Sequence, residues 1–177
     1  AMVLATDPES DYWFWQGLFA SDPANDHGSF AVSAPGALPS SPANLHVALF
    51  GASTQGKNDH RVAVSLNGVP LGEVVFSGLS RYETDLAVPP GVVRAGDNTV
   101  ELLATLSPGA TQNDLFVDRF ELSYTRDTTA SNGTLEVATT GRRAVTVGGF
   151  PDSRLWVFDL ADPLAPRLLK EAQISFS

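Results

Sequence analysis

The stretch NDLFVDRFELSY, residues 113–124, decides the fold class because its side chains alternate in type. The even-numbered positions carry the aromatic residues Phe116, Phe120 and Tyr124. A period of two residues is typical of a β-strand with one face toward a core. Asp118 shares the even parity, so we expect it to face the core. A buried carboxylate is costly unless backbone N–H groups, an arginine or a metal ion satisfy it.

Composition narrows the class of protein. The chain has 177 residues, of which 43% are hydrophobic and 18% charged, enough for one full domain and a smaller one. The net charge of −9 argues against nucleic acid as a partner and against an anionic membrane surface. The absence of cysteine excludes disulfides, thiolate metal sites and a cysteine nucleophile in this chain. No apolar run approaches the roughly 18 residues needed to span a bilayer, so no membrane insertion is expected.

Strand-like runs separated by turn signals recur through residues 1–125. Asn67-Gly68 predicts a tight hairpin, because both residues tolerate positive φ. No stretch shows helical periodicity over 11 residues. The strand-like runs are residues 12–18, 29–33, 45–50, 62–66, 71–76, 84–88, 99–106 and 115–124. About eight short strands at this spacing predict an all-β fold, a jelly-roll-like antiparallel β-sandwich over residues 1–125.

The composition changes after the sandwich. Residues 126–133 are polar and end in the turn signal Asn132-Gly133. Three further runs, residues 134–138, 144–147 and 155–160, predict short strands. These strands are too few to close a core by themselves. We therefore interpret residues 126–177 as a small C-terminal β appendage or the incomplete start of a second domain.

Several segments resemble known proteins. VDRFELSY, residues 117–124, resembles the closing strand of jelly-roll carbohydrate-binding modules and related galactose-binding-like β-sandwiches. Five segments together resemble a module of gingipain-like cysteine peptidases and related exported bacterial proteins. They are DYWFWQGL (11–18), HRVAVSLNGVPLGEVVFSG (60–78), GDNTVELLA (96–104), DLFVDRFELSYTR (114–126) and VGGFPDSRLWVFDLADPLAP (147–166).

The resemblance implies a non-catalytic accessory module of a larger exported protein, on the bacterial cell surface or outside the cell. Such a module supports an adjoining peptidase domain of the same polypeptide or binds a ligand such as a glycan. No catalytic residue carries over, because the chain has no cysteine to match the nucleophile. Two other functions stay open: a self-standing carbohydrate-binding module with a structural calcium ion, and an inhibitory pro-domain whose exposed loop carries Arg142-Arg143.

The resemblance also implies a calcium site. An acid near the start of the closing strand helps to hold a structural Ca²⁺ in several of these families, and Asp118 is the matching residue. Glu9 or Asp11, before the first strand, is the matching N-terminal ligand, and Asp22 and Asp26 lie in the loop that follows. Calcium takes carboxylate and carbonyl oxygens of this kind. The alternative is that backbone amides or an arginine satisfy Asp118 without a metal.

Aromatic residues are the candidate ligand-binding side chains. Trp13 and Trp15 share one parity, and Tyr12 and Phe14 share the other. If the indoles are exposed they form a stacking platform for sugar rings; if both faces of the strand are covered they belong to the core. Tyr82, in the segment between two predicted strands, is a further candidate for stacking.

Signals for an enzyme are missing from the sequence. It has no GxSxG elbow, HExxH, Walker or EF-hand pattern. The tripeptide Asn-Asp-His occurs twice, at residues 25–27 and 58–60. Asn and Asp favour turns through side-chain bonds to the backbone, so we interpret both as Asx-type loops. A zinc or catalytic pair is the alternative, although no ligand spacing supports it.

Overall fold

A computed structural model describes residues 13–130, 132–137, 145–152 and 154–170. These residues form β-strands and contain no helix, so no helix among them could cross a bilayer. The strands are β1 (Gln16–Phe19), β2 (His27–Ala34), β3 (Ala43–Gly51), β4 (His60–Leu66), β5 (Val69–Phe76), β6 (Arg81–Val88), β7 (Gly96–Leu106), β8 (Asp114–Tyr124), β9 (Phe158–Asp159) and β10 (Arg167–Leu168).

Strands β1 to β8 form two four-stranded antiparallel sheets. The first has the order β1-β8-β3-β6 and the second the order β2-β7-β4-β5. The inward side chains of the two sheets form one hydrophobic core, with Leu45, Val62 and Val100 fully buried. The predicted all-β jelly-roll sandwich is confirmed.

The β4–β5 hairpin shows how local sequence sets the register. Leu66 pairs with Val69, which leaves Asn67 and Gly68 as the two-residue turn. Both have positive φ, 53° and 77°, as a type I′ turn requires. Asn67 also donates from Nδ2 to the carbonyl of Val92 at 2.7 Å. The predicted hairpin is confirmed.

A β-bulge interrupts the pairing of β3 with β8. Arg119 lies opposite Ala48, and Val117 lies opposite Leu49. Asp118 is therefore the extra residue on β8 and has no partner on β3. A bulge of this kind adds one residue to one strand and reverses the alternation of its side chains.

The reversal corrects the predicted parity of the closing strand. Before the bulge the odd-numbered Leu115 and Val117 are fully buried, whereas Phe116 lies on the outer face. After the bulge the even-numbered Phe120 is buried, as predicted. The expectation that Asp118 faces the core was wrong, because the bulge places this residue at the point where the parity changes.

The first strand is shorter than predicted. Strand β1 begins at Gln16, not at residue 12, although the backbone N–H of Trp15 still donates to the carbonyl of Val117 at 2.8 Å. Residue 12 lies outside the described residues. Trp13 and Phe14 precede the strand.

The chain divides into two compact units between Asp127 and Thr128. In the second unit β9 and β10 pair antiparallel, and Thr129 forms an isolated bridge with Gly148. The predicted strands at 134–138 and 144–147 are not formed over their described parts, 134–137 and 145–147, and the run at 155–160 shortens to Phe158–Asp159. An apolar alternation becomes a strand only beside a hydrogen-bonding neighbour, and β10 supplies only two residues. The proposed domain boundary after residue 125 stays a prediction about independent folding.

Candidate functional site

Two exposed indoles lie where the chain enters the sandwich. Trp13 is 86% exposed and Trp15 is 55% exposed. The ring of Trp15 contacts Phe30 and Phe120, with centroid distances of 6.0 and 5.6 Å. One side of this indole therefore rests on the core while the rest is open to solvent. The sequence left open whether the two indoles are exposed or belong to the core. In the structure both are exposed.

The segment that carries the indoles is anchored from a second direction. Phe14 stacks on Phe116 with a centroid distance of 5.0 Å and lies 5.7 Å from Phe50. Phe50 and Phe116 are cross-strand partners on the outer face of the first sheet. Aromatic contacts thus fix the backbone between Trp13 and Trp15. We call these two residues the Trp surface.

Polar groups lie along the edge of the sandwich that β1 and β2 form. Gln16 donates from Nε2 to the carbonyl of His27 at 3.0 Å and so links the two sheets. The exposed His27 ring lies 2.7 Å, through Nδ1, from a carboxylate oxygen of Asp26. Amide, imidazole and carboxylate groups therefore lie along the edge of the sandwich that β1 and β2 form.

Tyr82 does not join the Trp surface. It lies within strand β6, not in a loop as predicted, and it pairs across from Leu49. Its ring stacks on Phe76 with a centroid distance of 4.8 Å. Strands β1 and β6 are the two opposite edges of the first sheet. Four strands spaced by about 4.8 Å separate these edges by roughly 14 Å, so the structure does not bring Tyr82 and the tryptophans together.

Asp118, the first candidate calcium ligand, is paired with arginine. Its Oδ2 lies 2.9 Å from Nη2 of Arg81 and 3.9 Å from Nη1 of Arg119. The side chain is 25% exposed. In the structure an arginine therefore compensates the charge of Asp118, which is one of the alternatives to a metal ion that the sequence left open.

The other candidate calcium ligands do not converge with Asp118 among the described residues. Asp22 accepts hydrogen bonds from Nδ2 of Asn25 at 2.7 Å and from the N–H of Ala24 at 3.1 Å, which together lower its pKa. Asp26 pairs with His27. The described part of the chain contains no group of three or more His, Cys, Asp or Glu side chains that could hold a metal ion. Glu9, Asp11, Arg142 and Arg143 lie outside the described residues, and a calcium site that uses Glu9 or Asp11 stays a prediction.

The outer face of the first sheet carries a charged network that sequence reasoning missed. Glu83 accepts from Nε of Arg81 at 2.8 Å and lies 3.4 Å from Nη2 of Arg119. His46 lies 2.9 Å, through Nδ1, from Asp85. This contact and a hydrogen bond from Asn44 lower the pKa of Asp85. The alternation Arg81-x-Glu83-x-Asp85 was visible in the sequence, but the strand register that brings these side chains to β3 and β8 was not.

Comparisons with known proteins support the fold. No protein-family model matches the chain, and a search of curated proteins finds no match. The solved structure of dimeric latent PorU from Porphyromonas gingivalis is similar over 71% of this chain and 12% of its own length, with 12% identity and a TM-score of 0.50. The CBM36-1 domain of a multidomain xylanase from the hindgut metagenome of Trinervitermes trinervoides is similar over 62% of this chain and 77% of its own, with 17% identity and a TM-score of 0.42. A CBM36 module in complex with calcium and xylotriose covers 61% of this chain and 99% of its own, with 18% identity and a TM-score of 0.37.

The likeness to PorU is one of fold, because the identity is far below the level at which function follows. It places the chain among the β-sandwich modules that the sequence resemblance predicted, and that resemblance is confirmed at the level of the fold. The chain spans only a small part of PorU, so nothing about the activity of that whole protein follows for it.

Proposed function

We propose that the chain is a non-catalytic accessory module of a larger exported protein and that it binds a glycan through the Trp surface. The observation that carries the proposal is the exposure of Trp13 and of Trp15, whose ring rests on the core. Large aromatic side chains gain most from burial, and exposed apolar surface rimmed by polar groups marks binding sites. The flat, C–H-rich face of a sugar ring is a matching partner for an indole.

The geometry around Trp15 supports the proposal in a second way. The ring rests on Phe30 and Phe120, so little conformational freedom is lost when a ligand stacks on its open side. Gln16, His27 and Asp26, on the edge that β1 and β2 form, offer hydrogen-bonding groups for sugar hydroxyls. The net charge of −9 favours neutral glycans over acidic ones.

A glycan array probed with the purified full chain tests the proposal, followed by titration calorimetry on each sugar that binds. Trp15→Ala should weaken binding at least tenfold, and Trp13→Ala should also weaken it, because each removes a stacking face. Trp156→Ala is the matched control, since Trp156 is another exposed indole, 75% accessible, in the second unit. The proposal is contradicted if the chain binds no glycan on the array, or if the Trp15→Ala variant binds a glycan with the same affinity as the wild type.

We further propose that this binding does not require calcium. The pairing of Asp118 with Arg81 supports this, because the carboxylate is already compensated by a cation. Binding measured in EDTA should match binding measured in excess calcium. A loss of affinity in EDTA that calcium restores would overturn this part and favour a site built with Glu9 or Asp11.

The accessory role and the exported location rest on the sequence resemblance, supported by the likeness of fold to a segment of PorU. The adjoining domain would then be a peptidase domain of the same polypeptide. Purified chain should show no turnover of peptide, ester or glycoside substrates. Activity that follows the folded protein through successive columns would contradict the non-catalytic proposal.

A further inference from the structure

His60 is a fully buried histidine with polar groups at both ring nitrogens. Its Nδ1 lies 2.8 Å from Oδ1 of Asn113. Its Nε2 lies 3.1 Å from the carbonyl oxygen of Ser53 and 3.1 Å from that of Gly78. One face of the ring stacks on Phe76, with a centroid distance of 4.6 Å. Every polar contact of the ring is therefore with the protein.

The orientation of the Asn113 side-chain amide determines whether Nδ1 of His60 carries a proton. The amide nitrogen of this buried side chain donates to the carbonyls of Arg61 and Thr105, at 3.0 and 2.8 Å. A reversed amide would turn its oxygen toward two acceptors. The oxygen Oδ1 must then face His60, and it accepts only. Consequently Nδ1 of His60 carries a proton.

Two backbone carbonyl groups determine whether Nε2 of His60 carries a proton. The carbonyl oxygens of Ser53 and Gly78 have no hydrogen to donate, so the nitrogen between them must donate. A neutral imidazole has one N–H group, whereas this site calls for two. Only the imidazolium form satisfies both sides of the ring.

We infer that His60 is buried as the doubly protonated imidazolium and that its charge holds together three loops at one end of the sandwich. These loops are the β3–β4 connection (52–59), the β5–β6 connection (77–80) and the β7–β8 connection (107–113). They contribute Ser53, Gly78 and Asn113 respectively. We call these three residues, with Asp59 and His60, the His60 cluster.

Asp59 supplies the countercharge. Its buried carboxylate accepts from the N–H of Gln55 at 2.7 Å and from the N–H of Gly78 at 3.0 Å. Burial raises the pKa of Asp59, but the amide hydrogen bonds and the His60 charge outweigh that effect, so the pKa lies below its usual value. A neighbouring carboxylate reduces the cost of burying the imidazolium charge.

The other charged residues beside the cluster are directed to separate partners. Arg61 follows His60 in β4 and forms an ion pair with Glu73. Asp114 donates its backbone N–H to the hydroxyl of Ser53, and its carboxylate accepts from the side chain of Gln112. Asp59 is thus the carboxylate that shares hydrogen-bonding groups with the ring of His60.

Close packing prevents the ring from turning away. A Cβ atom built on Gly51 would lie 2.5 Å from Nε2 of His60 and closer still to the carbonyl oxygen of Gly78. Because the ring is enclosed by Gly51, Phe76 and the three loops, loss of a proton leaves a nitrogen lone pair aimed at an acceptor. Such an unmade buried hydrogen bond destabilises the native state.

As a consequence, the contacts that hold the three loops together at this end of the sandwich depend on pH. An ordinary histidine loses its proton near about pH 6.5. Above that pH the native chain binds one more proton than the unfolded chain. The contribution of His60 to the free energy of unfolding is therefore fully present below about pH 6.5 and falls as the pH rises. For one proton the folding equilibrium constant falls by up to about tenfold per pH unit.

Solution NMR on the full chain with ¹⁵N-labelled histidine tests the protonation state directly. At pH 7.5 both ring nitrogens of His60 should show protonated shifts. Protection factors of the Gln55 and Gly78 amides, corrected for intrinsic exchange, should drop where the His60 proton is lost. One unprotonated ring nitrogen at pH 7.5 would overturn the inference.

Urea unfolding between pH 6 and 9 provides an independent measurement. The wild-type unfolding midpoint should fall over this range, and the fall should persist in a His27→Gln/His46→Gln double variant. His60→Gln should flatten the profile, because an amide does not titrate. If that variant does not fold, the double variant and the NMR titration still decide: a flat profile in the double variant would overturn the inference.

Discussion

Asp118 and Arg81 form an ion pair at 2.9 Å although their strands are not neighbours. Strand β3 lies between β8 and β6 in the sheet. Arg81 pairs with Phe50 of β3, and the bulge lies beside Ala48, whose small side chain takes little space between the two outer strands. The bulge at Asp118 thus turns a carboxylate that the sequence pattern assigned to the core toward an arginine two strands away.

The first prediction concerns the strength of this pair. Asp118→Ala should lower the free energy of unfolding by about 1 kcal/mol or less, because a partly exposed ion pair gains little over solvated charges. A double-mutant cycle with Arg81→Ala, measured by urea unfolding, isolates the pairwise energy. Glu121→Ala, a more exposed acid of the same strand, is the control.

The same samples separate the arginine and calcium interpretations of Asp118. The melting temperature of the wild-type chain should be the same in EDTA and in excess calcium. A loss of several kcal/mol in the variant together with a calcium-dependent melting temperature would show that the carboxylate holds a metal instead.

Some of the sequence signals for this fold are local, and others depend on how the strands align. The Asn67-Gly68 turn requires only two residues with positive φ, so the hairpin was predictable from the sequence. The existence of the eight sandwich strands was predictable because each carries its own alternation, whereas the bounds of β1 and β6 were not. The bulge at Asp118 depends on how β3 and β8 align, and a single strand does not encode that alignment.

The site was predictable only in part. Exposure of Trp15 depends on Phe30 and Phe120, which lie on two other strands, so the sequence left two interpretations open. The charge of His60 depends on the orientation of Asn113, 53 residues away along the chain. Long-range contacts of this kind carry no local pattern, and the tripeptide 58–60 therefore suggested a turn, with a zinc or catalytic pair as the alternative.

The second prediction concerns space at the His60 cluster. Gly51→Ala should destabilise the chain by about 1–3 kcal/mol, because the new Cβ would crowd the His60 ring and the Gly78 backbone. Gly148→Ala is the matched control, since a Cβ there meets nothing within 4 Å. Urea unfolding of both variants measures the difference. A neutral Gly51→Ala result would contradict the close packing around His60.

The third prediction concerns acid unfolding. Burial raises the pKa of Asp59, but the hydrogen bonds from Gln55 and Gly78 and the charge of His60 lower it by more, so that the native pKa lies below the unfolded value of 3.8. A lowered pKa contributes stability above about pH 4 and loses it as pH falls through the native value.

The unfolding midpoint of the wild type should therefore fall between pH 4 and 2, and Asp59→Asn should reduce that fall at the expense of stability at pH 7. Asp97→Asn, a change at an exposed aspartate of β7, is the control and should keep the wild-type profile. An unchanged acid profile in Asp59→Asn would show that Asp59 does not carry the dependence.

The last prediction concerns the division of the chain. A shortened chain that ends at Asp127 should fold by itself, because the hydrophobic core found among the described residues runs from Leu18 to Phe120 and so precedes the division between the two units. Its circular dichroism spectrum should remain that of a β-sandwich, and its urea transition should stay cooperative. A separate chain that starts at Thr128 should show no cooperative transition, since its described strands β9 and β10 have two residues each. A chain ending at Asp127 that is wholly unfolded would show that residues 128–177 complete the core and that the two-part division is wrong.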